Sequence, residues 1–124
     1  MIIGIGTDIA EVLRIAKGLE KKGFREKVFS KNEIIYCETK TNKNENYAAR
    51  FAAKEALFKA LGTGWRGGLA FNEVEVVNDE MGKPSIQLIG ETAKIIEKRN
   101  VKSIHVSLSH TKETAIATVI LEGE

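Results

Sequence analysis

The chain has 124 residues, which fits one compact domain able to bury about two-thirds of its unfolded surface. Its hydrophobic share of 43% and charged share of 29% are ordinary for a soluble globular protein, and a net charge of +2 neither indicates nor excludes a nucleic-acid partner. Cys37 is the single cysteine, which excludes an internal disulfide and a cysteine zinc site. The start shows no signal-segment pattern, and no apolar run approaches the length of a membrane span. We therefore expect a reduced, cytoplasmic protein with a single domain over residues 1–124.

The first half of the chain is predicted to be mainly helical. Ser30 and Glu33 match a capping box and predict where one of these helices begins. The predicted elements are, in order, a buried strand over 1–6 (MIIGIG), a helix over 9–19, an amphipathic segment over 24–29, a helix over 31–37, a polar loop over 39–46 and the strongest helix over 47–61.

The second half is predicted to be mainly extended. Gly62 ends the long helix and is followed by a glycine-rich loop. The later elements are strands over 73–77 and 85–88 joined by a turn, a helix over 91–98, and two strands over 104–109 and 115–121. Helices first and antiparallel strands later predict an α+β fold, with an antiparallel sheet and packed helices.

Asp8 lies where the first predicted strand meets a helix start. Together with Thr7 it has the chemistry of a helix N-cap, which is one interpretation. The other is a carboxylate at a strand end, a suitable ligand for a hard divalent cation. One carboxylate alone does not make a site.

Glu55 and Lys59 lie four residues apart on the strongest helix and so share a face. A surface ion pair is the simplest interpretation. However, the alanine-rich helix has the pattern of a buried one, and it ends at Gly62, Thr63 and Gly64, where backbone can approach a ligand closely. A carboxylate, an ammonium group and a glycine turn suit a metal-bound diphosphate, because magnesium favours carboxylates and phosphate oxygens and lysine neutralises phosphate charge.

The late segment HVSLSH offers further polar groups. Ser109 and His110 do not predict a serine hydrolase, because adjacent strand residues point to opposite faces and no nucleophile-elbow motif is present. His105 alternates with apolar neighbours and is interpreted as a structural strand histidine. His110, at a loop entry, is the better ligand contact.

Basic residues cluster on and after the first predicted helix. They can be a solvated face, or a docking surface that attracts an acidic partner through electrostatic steering. The cluster consists of Arg14, Lys17, Lys21, Lys22 and Arg25.

These segments together resemble the holo-acyl-carrier-protein synthase family of phosphopantetheinyl transferases. The resemblance spans nearly the whole chain in the family's order, and the FAAKEA block with the N-terminal aspartate is its specific part. The matching motifs are GIGTDI (4–9), RFAAKEA (50–56) with Lys59, GTG (62–64), NDE (78–80), GKP (82–84) and VSLSHT (106–111). The run WRGG (65–68) matches no fixed pattern.

The resemblance implies a magnesium-dependent transferase that moves 4′-phosphopantetheine from coenzyme A to a serine of apo acyl carrier protein, for fatty acid biosynthesis. It implies a cytoplasmic homotrimer with active sites between subunits, and neither a nucleic-acid nor a membrane partner. Asp8 and Glu55 would bind the metal and Lys59 the transferred phosphate, all three counting as catalytic. Coenzyme A would contact Arg50, Gly62, Thr63, Gly64, Lys83, Pro84 and His110, and the carrier protein would contact Arg14, Lys21, Lys22 and Arg25.

Two other classes of function stay open at this point. A nucleotide-binding regulator without chemistry would keep the phosphate contacts but would not need both Asp8 and Glu55. An oligomeric scaffold would explain the apolar strands but not the combination of these carboxylates with Lys59. The general base of the implied reaction is also open, since it can be a carboxylate acting directly or through a metal-bound water.

Overall fold

A computed structural model describes residues 1–64 and 67–124. The described residues form an α+β fold, as the sequence predicts. The elements run in the order β1 (Ile2–Glu11), α1 (Val12–Leu19), α2 (Phe24–Val28), α3 (Lys31–Glu38), α4 (Lys43–Leu61), a 3₁₀ turn (Phe71–Glu73), β2 (Val74–Asn78), β3 (Pro84–Leu88), α5 (Gly90–Glu97), β4 (Val101–His110) and β5 (Thr114–Gly123). Over the described ranges, no helix combines the length and apolar character needed to cross a membrane.

The strands form two antiparallel sheets. The larger sheet has the order β1-β5-β4, and β2 pairs with β3 in a separate hairpin. One face of the larger sheet packs on α4, and its residues there are small or branched apolar side chains such as Ala117 and Val119. The opposite face is open in the single chain.

Two glycines of β1 allow α4 to lie directly on the sheet. A Cβ atom at Gly4 would be 2.2 Å from the carbonyl oxygen of Ala60, and one at Gly6 would be 2.1 Å from that of Ala56. Real side chains cannot come so close to backbone, so the glycines of the run MIIGIG are needed for this contact. The contact fixes β1 against the C-terminal half of α4.

The prediction of a helix over 9–19 with Asp8 at its N-terminal end is wrong. Strand β1 continues to Glu11, and the helix begins only at Val12. Residues 4–11 pair with β5, Asp8 opposite Ala117, and this ladder outweighs the local capping chemistry. Asp8 is therefore a strand residue on the face that meets α4.

Helix α4 is longer than predicted, because it begins at Lys43 inside the segment expected to be a loop. Its alanines are buried, which agrees with the expectation of a buried helix. The predicted stop is confirmed: Gly62 adopts a left-handed conformation, with φ of 81°. The capping box is also confirmed, since Ser30 and Glu33 satisfy each other's backbone donors at the start of α3.

Candidate active site

Asp8, Glu55 and Lys59 are brought together where β1 crosses α4. The ammonium Nζ of Lys59 donates a hydrogen bond to Oδ1 of Asp8 at 2.8 Å and another to the carbonyl oxygen of Thr7 at 3.2 Å. Only 14% of the Asp8 side chain is exposed, against 53% for Lys59. Asp8 and Lys59, far apart in sequence, thus meet at the partly exposed edge of the contact between β1 and α4.

The two carboxylates interact through their charges. Burial, and secondly the negative charge of Asp8, raise the pKa of Glu55, while the ammonium of Lys59 opposes this effect. The hydrogen bond to Asp8 raises the pKa of Lys59. Two carboxylates thus lie close enough to affect each other, and adjacent negative charges of this kind favour the binding of a cation.

The donor set fits magnesium better than metals that need a cage of protein ligands. Among the described residues, no group of three or more His, Cys, Asp and Glu side chains could hold a metal ion. Asp8 and Glu55 would supply two hard oxygen ligands, and water or phosphate oxygens would supply the rest. This is the usual arrangement for Mg²⁺ bound together with a phosphate ester.

Asp8 and Glu55 open into a groove of about 640 Å³ between α1 and α4. Arg14, Lys17 and Lys21 line the same groove. The groove is also lined by the aromatic rings of Phe24 and Phe51, which the sequence did not single out. The groove therefore brings together acidic, basic and aromatic side chains. We call its three basic residues Arg14, Lys17 and Lys21 the basic wall.

The other two basic candidates lie apart from this groove. Lys22 is exposed and Arg25 is partly exposed, but neither lines the groove. The Nε atom of Arg25 lies 3.7 Å from Oε2 of Glu38, and its guanidinium lies 5.7 Å from the ring centre of Tyr47. Arg25 thus already contacts Glu38 and Tyr47 of the same chain.

A second cluster of candidate residues surrounds the first half of α4. Arg50 is buried, stacks over the ring of Tyr36 at 4.3 Å and donates from Nη2 to Oδ1 of Asn78 at 2.6 Å. Asn78 in turn donates from Nδ2 to the carbonyl oxygen of Gly82 at 3.0 Å. This connects Arg50 to the β2–β3 turn.

Lys83 lies at the end of that same turn, and Pro84 follows it as the first residue of β3. Lys83 is exposed, its backbone N–H donates to Oδ1 of Asp79 at 2.9 Å, and Pro84 begins β3 opposite Asn78. His110 ends β4, and its Nδ1 is 2.9 Å from Oε1 of Glu45. The sequence could not single out Glu45, because the segment around it has the composition of a loop.

The two clusters face different sides of α4. Arg50 and Glu55 are five residues apart, which on an α-helix corresponds to a rotation of about 140°. Arg50 faces Tyr36 and the hairpin, whereas Glu55 faces β1 and the groove. One chain therefore presents two separate sets of candidate ligand contacts.

The loop after α4 is described only in part. Gly62 and Thr63 are exposed, and Oγ1 of Thr63 accepts a hydrogen bond from Nη1 of Arg99 at 3.0 Å. Gly64 has a φ of 61°, in the left-handed region. The first two residues of the unmatched run WRGG, 65 and 66, lie outside the described residues.

A family model described as the 4′-phosphopantetheinyl transferase superfamily matches residues 4–119. The chain belongs to this superfamily. Curated relatives agree: a holo-[acyl-carrier-protein] synthase of Solibacter usitatus is 49% identical over 125 residues, covering 99% of this chain and 100% of the relative. One of Clostridium tetani is 45% identical, covering 100% of this chain and 98% of the relative.

Solved structures of phosphopantetheinyl transferases share the whole fold. The holo-[acyl-carrier-protein] synthase of Neisseria meningitidis matches with a TM-score of 0.90 at 34% identity, covering 98% of this chain and 99% of that one. The synthase of Bacillus anthracis, solved in complex with CoA (3′,5′-ADP), matches with a TM-score of 0.82 at 40% identity, covering 100% and 99%. The resemblance identified in the sequence is confirmed.

Proposed function

We propose that this chain is a holo-acyl-carrier-protein synthase, which transfers 4′-phosphopantetheine from coenzyme A to a serine of apo acyl carrier protein. The observation that carries the proposal is that Asp8 and Glu55 line a groove together with Arg14 and Lys21, while Lys59 donates a hydrogen bond to Asp8. The 49% identity to a holo-[acyl-carrier-protein] synthase over nearly the whole chain supports the proposal, as does the complex of the Bacillus anthracis relative with CoA (3′,5′-ADP). The product would supply fatty acid biosynthesis in the cytoplasm.

Asp8 and Glu55 are the proposed magnesium ligands. A bound magnesium ion would offset the charge of the coenzyme A diphosphate and orient it. Lys59 lies one helical turn beyond Glu55 and reaches Asp8. Its ammonium would stabilise charge on the transferred phosphate. The three residues make up the catalytic centre that we propose.

The reaction breaks one phosphorus–oxygen bond and forms another. The hydroxyl oxygen of the carrier serine attacks the phosphorus that bears the pantetheine arm, and adenosine 3′,5′-bisphosphate leaves with the bridging oxygen. The serine proton passes to a base, and a carboxylate at the site is the candidate. Most of the rate enhancement would come from positioning and charge stabilisation, as is general for phosphoryl transfer.

The basic wall of the groove is the proposed docking surface for the carrier protein. Arg14 and Lys21 line the groove beside the catalytic carboxylates, so a carrier bound to them would bring its serine to the phosphate. Lys22 and Arg25 extend this surface in sequence, although Arg25 already pairs with Glu38. Acidic partners would be attracted by the wall as a whole.

The enzyme is proposed to be a homotrimer with shared active sites. The open face of the larger sheet carries cross-strand isoleucine pairs, Ile5 with Ile120 and Ile9 with Ile116, and 65% of Ile5 and 63% of Ile9 are exposed. A second copy of the chain would bury this apolar face. Because Arg50 and Glu55 face different sides of α4, sharing would also let the second cluster of one subunit complete the catalytic centre of its neighbour.

That second cluster is the proposed coenzyme A site. Arg50, Lys83, Pro84 and His110 surround the first half of α4 and the β2–β3 turn. Gly62, Thr63 and Gly64 follow the C-terminal half of α4. Their backbone would approach the phosphates of coenzyme A.

Incubation with coenzyme A, magnesium and apo carrier protein, followed by mass spectrometry of the carrier, tests the proposal. We expect a mass increase of one phosphopantetheine group with the wild type. Asp8→Ala and Glu55→Ala should each lower turnover by orders of magnitude while retaining the fold. Near-wild-type rates in either variant at limiting magnesium would exclude the proposed metal ligands.

A further inference from the structure

His110 and Glu45 form a hydrogen bond that joins the end of β4 to the first turn of α4. Oε1 of Glu45 lies 2.9 Å from Nδ1 of His110, across 65 positions of sequence. An ionised carboxylate only accepts hydrogen bonds, so Nδ1 is the donor and carries the proton. The opposite ring nitrogen, Nε2, is then the one that can reach a ligand.

The surroundings hold both groups in place. The side chain of Glu45 is 19% exposed and that of His110 is 37% exposed, so the carboxylate is the more enclosed partner. Glu45 is the acidic residue of the first turn of α4, where the positive end of the helix dipole stabilises a carboxylate. Helix α4 thus supports the carboxylate that contacts the histidine ring.

The second histidine of the chain shows the opposite arrangement. His105 contacts Oε1 of Glu122 through Nε2, on the open face of the larger sheet. Both histidines pair with a glutamate, but His105 uses Nε2 for this contact and His110 uses Nδ1. This difference makes His105 an internal reference for His110.

We propose that Glu45 is a positioning residue for coenzyme A binding: it holds Nδ1 of His110 and turns Nε2 toward a phosphate oxygen of the substrate. The inference rests on the proposed function, in which His110 contacts coenzyme A. In the doubly protonated ring, Nδ1 would donate to the carboxylate and Nε2 would donate a charged hydrogen bond to phosphate.

Steady-state kinetics of Glu45→Ala, Glu45→Gln and His110→Ala test the inference. Because Glu45 would act only through the contact of His110 with coenzyme A, we expect Glu45→Ala to raise the KM for coenzyme A by about three- to tenfold, the effect of losing one hydrogen bond. The kcat and the KM for carrier protein should stay within about twofold. Glu45→Gln keeps an acceptor without the charge and should show a smaller rise.

Two comparisons separate positioning from a general loss of structure. Glu91→Gln removes the first-turn glutamate of α5 and should leave every constant unchanged. In a His110→Ala background, Glu45→Ala should add nothing, because the two residues act through one contact. An unchanged KM for coenzyme A in Glu45→Ala, or additive effects in the double variant, would overturn the inference.

Nitrogen-15 NMR of the two histidine rings gives a readout independent of turnover. In Glu45→Ala the ring signals of His110 should move while those of His105 stay, and coenzyme A added to the wild type should shift Nε2 of His110. If transfer proceeds but His110→Ala leaves the KM for coenzyme A unaltered, the assignment of His110 is wrong and the inference falls with it. If neither the wild type nor any variant transfers the group, the proposed function fails. If coenzyme A then also leaves the Nε2 signal of His110 unshifted, the inference is refuted as well.

Discussion

The ammonium of Lys59 lies 2.8 Å from Oδ1 of Asp8 and bridges helix α4 to strand β1. Asp8 is also one of the two proposed magnesium ligands. An ammonium ion and a divalent cation that share a carboxylate compete for its negative charge. If Asp8 binds the proposed metal, Lys59 would oppose metal binding to the protein alone, although it would help to bind the phosphates of the substrate.

Removing the Lys59 charge should strengthen metal binding and weaken catalysis at the same time. In Lys59→Met we expect Mn²⁺ to bind the protein about thirtyfold more tightly in the absence of coenzyme A. Two unit charges 4 Å apart interact by about 1 kcal/mol under water-like screening, which is appropriate because Lys59 is half exposed, and the double charge of the metal ion raises this to about 2 kcal/mol. Turnover should fall by at least about tenfold. Lys43→Met, at the start of the same helix, is the control for metal binding measured by paramagnetic resonance. Unchanged or weaker Mn²⁺ binding in Lys59→Met would contradict the competition.

Lys54 should contribute strongly to stability rather than to catalysis. Its Nζ lies 2.7 Å from Oε1 of Glu33, and both side chains are completely buried. Burial lowers the pKa of Lys54, and the charge of Glu33 opposes this effect. Replacing Lys54 by Met leaves the Glu33 carboxylate buried without its partner, so we expect a loss of about 3–5 kcal/mol in the free energy of unfolding.

Urea unfolding at a fixed protein concentration measures this loss. The control is Lys43→Met, which removes an exposed pair with Glu38 and should change stability by less than about 1 kcal/mol. Equal effects of the two substitutions would show that the buried pair is no more stabilising than a surface one.

Lys54 also shows what the sequence could and could not predict. The motif RFAAKEA contains Lys54 and Glu55, Lys59 follows on the same predicted helix, and the capping box predicts where α3 begins. However, nothing local distinguishes the buried lysine from the half-exposed one. That difference depends on Glu33 and on the carbonyl oxygens of Phe71 and Val74, which accept from Lys54 across the fold.

The error at Asp8 has a similar cause. Thr7 and Asp8 have the composition of a helix cap, and the strand that contains them is stabilised by pairing with β5, more than a hundred residues later. Long-range pairing is invisible to local pattern. The candidate residues were still predictable, because the matching motifs identify Asp8, Glu55 and Lys59 whether each lies in a helix or in a strand.

Glu73 should make stability depend on acid pH. The hydroxyl of Thr92 donates to Oε1 of Glu73 at 2.7 Å and the Thr92 backbone N–H at 3.1 Å, and these hydrogen bonds lower the pKa of Glu73. A lowered pKa stabilises the fold above the unfolded value of about 4.3, and this contribution is lost as the pH falls through the lower folded value. Glu73→Gln should therefore destabilise the protein at pH 7 more than at pH 3. Thermal unfolding at both pH values measures this, and a difference independent of pH would refute the assignment.

The open sheet face should control assembly. Ile5 is exposed in the single chain and pairs with Ile120, so Ile5→Glu places a charge in the middle of the proposed subunit interface. Light scattering should show a trimer for the wild type and a monomer of low activity for the variant. Ile35→Glu changes an equally exposed isoleucine on α3 and should remain trimeric. An active wild-type monomer would contradict the trimer with shared sites.

Arg14 should affect the carrier protein and not coenzyme A. It lines the groove beside Asp8 and Glu55, on a wall that also contains Lys17 and Lys21. Charges at the rim of an interface act mainly on the association rate and its salt dependence, so Arg14→Glu should raise the KM for carrier protein and leave that for coenzyme A nearly unchanged. Added salt should weaken the wild type more than the variant, because screening removes an attraction that the variant has already lost. Lys102→Glu, on β4 and outside the groove, is the matched charge reversal and should leave carrier kinetics unaltered. If Arg14→Glu behaves like this control at low ionic strength, the basic wall is only a solvated surface and the carrier docks elsewhere.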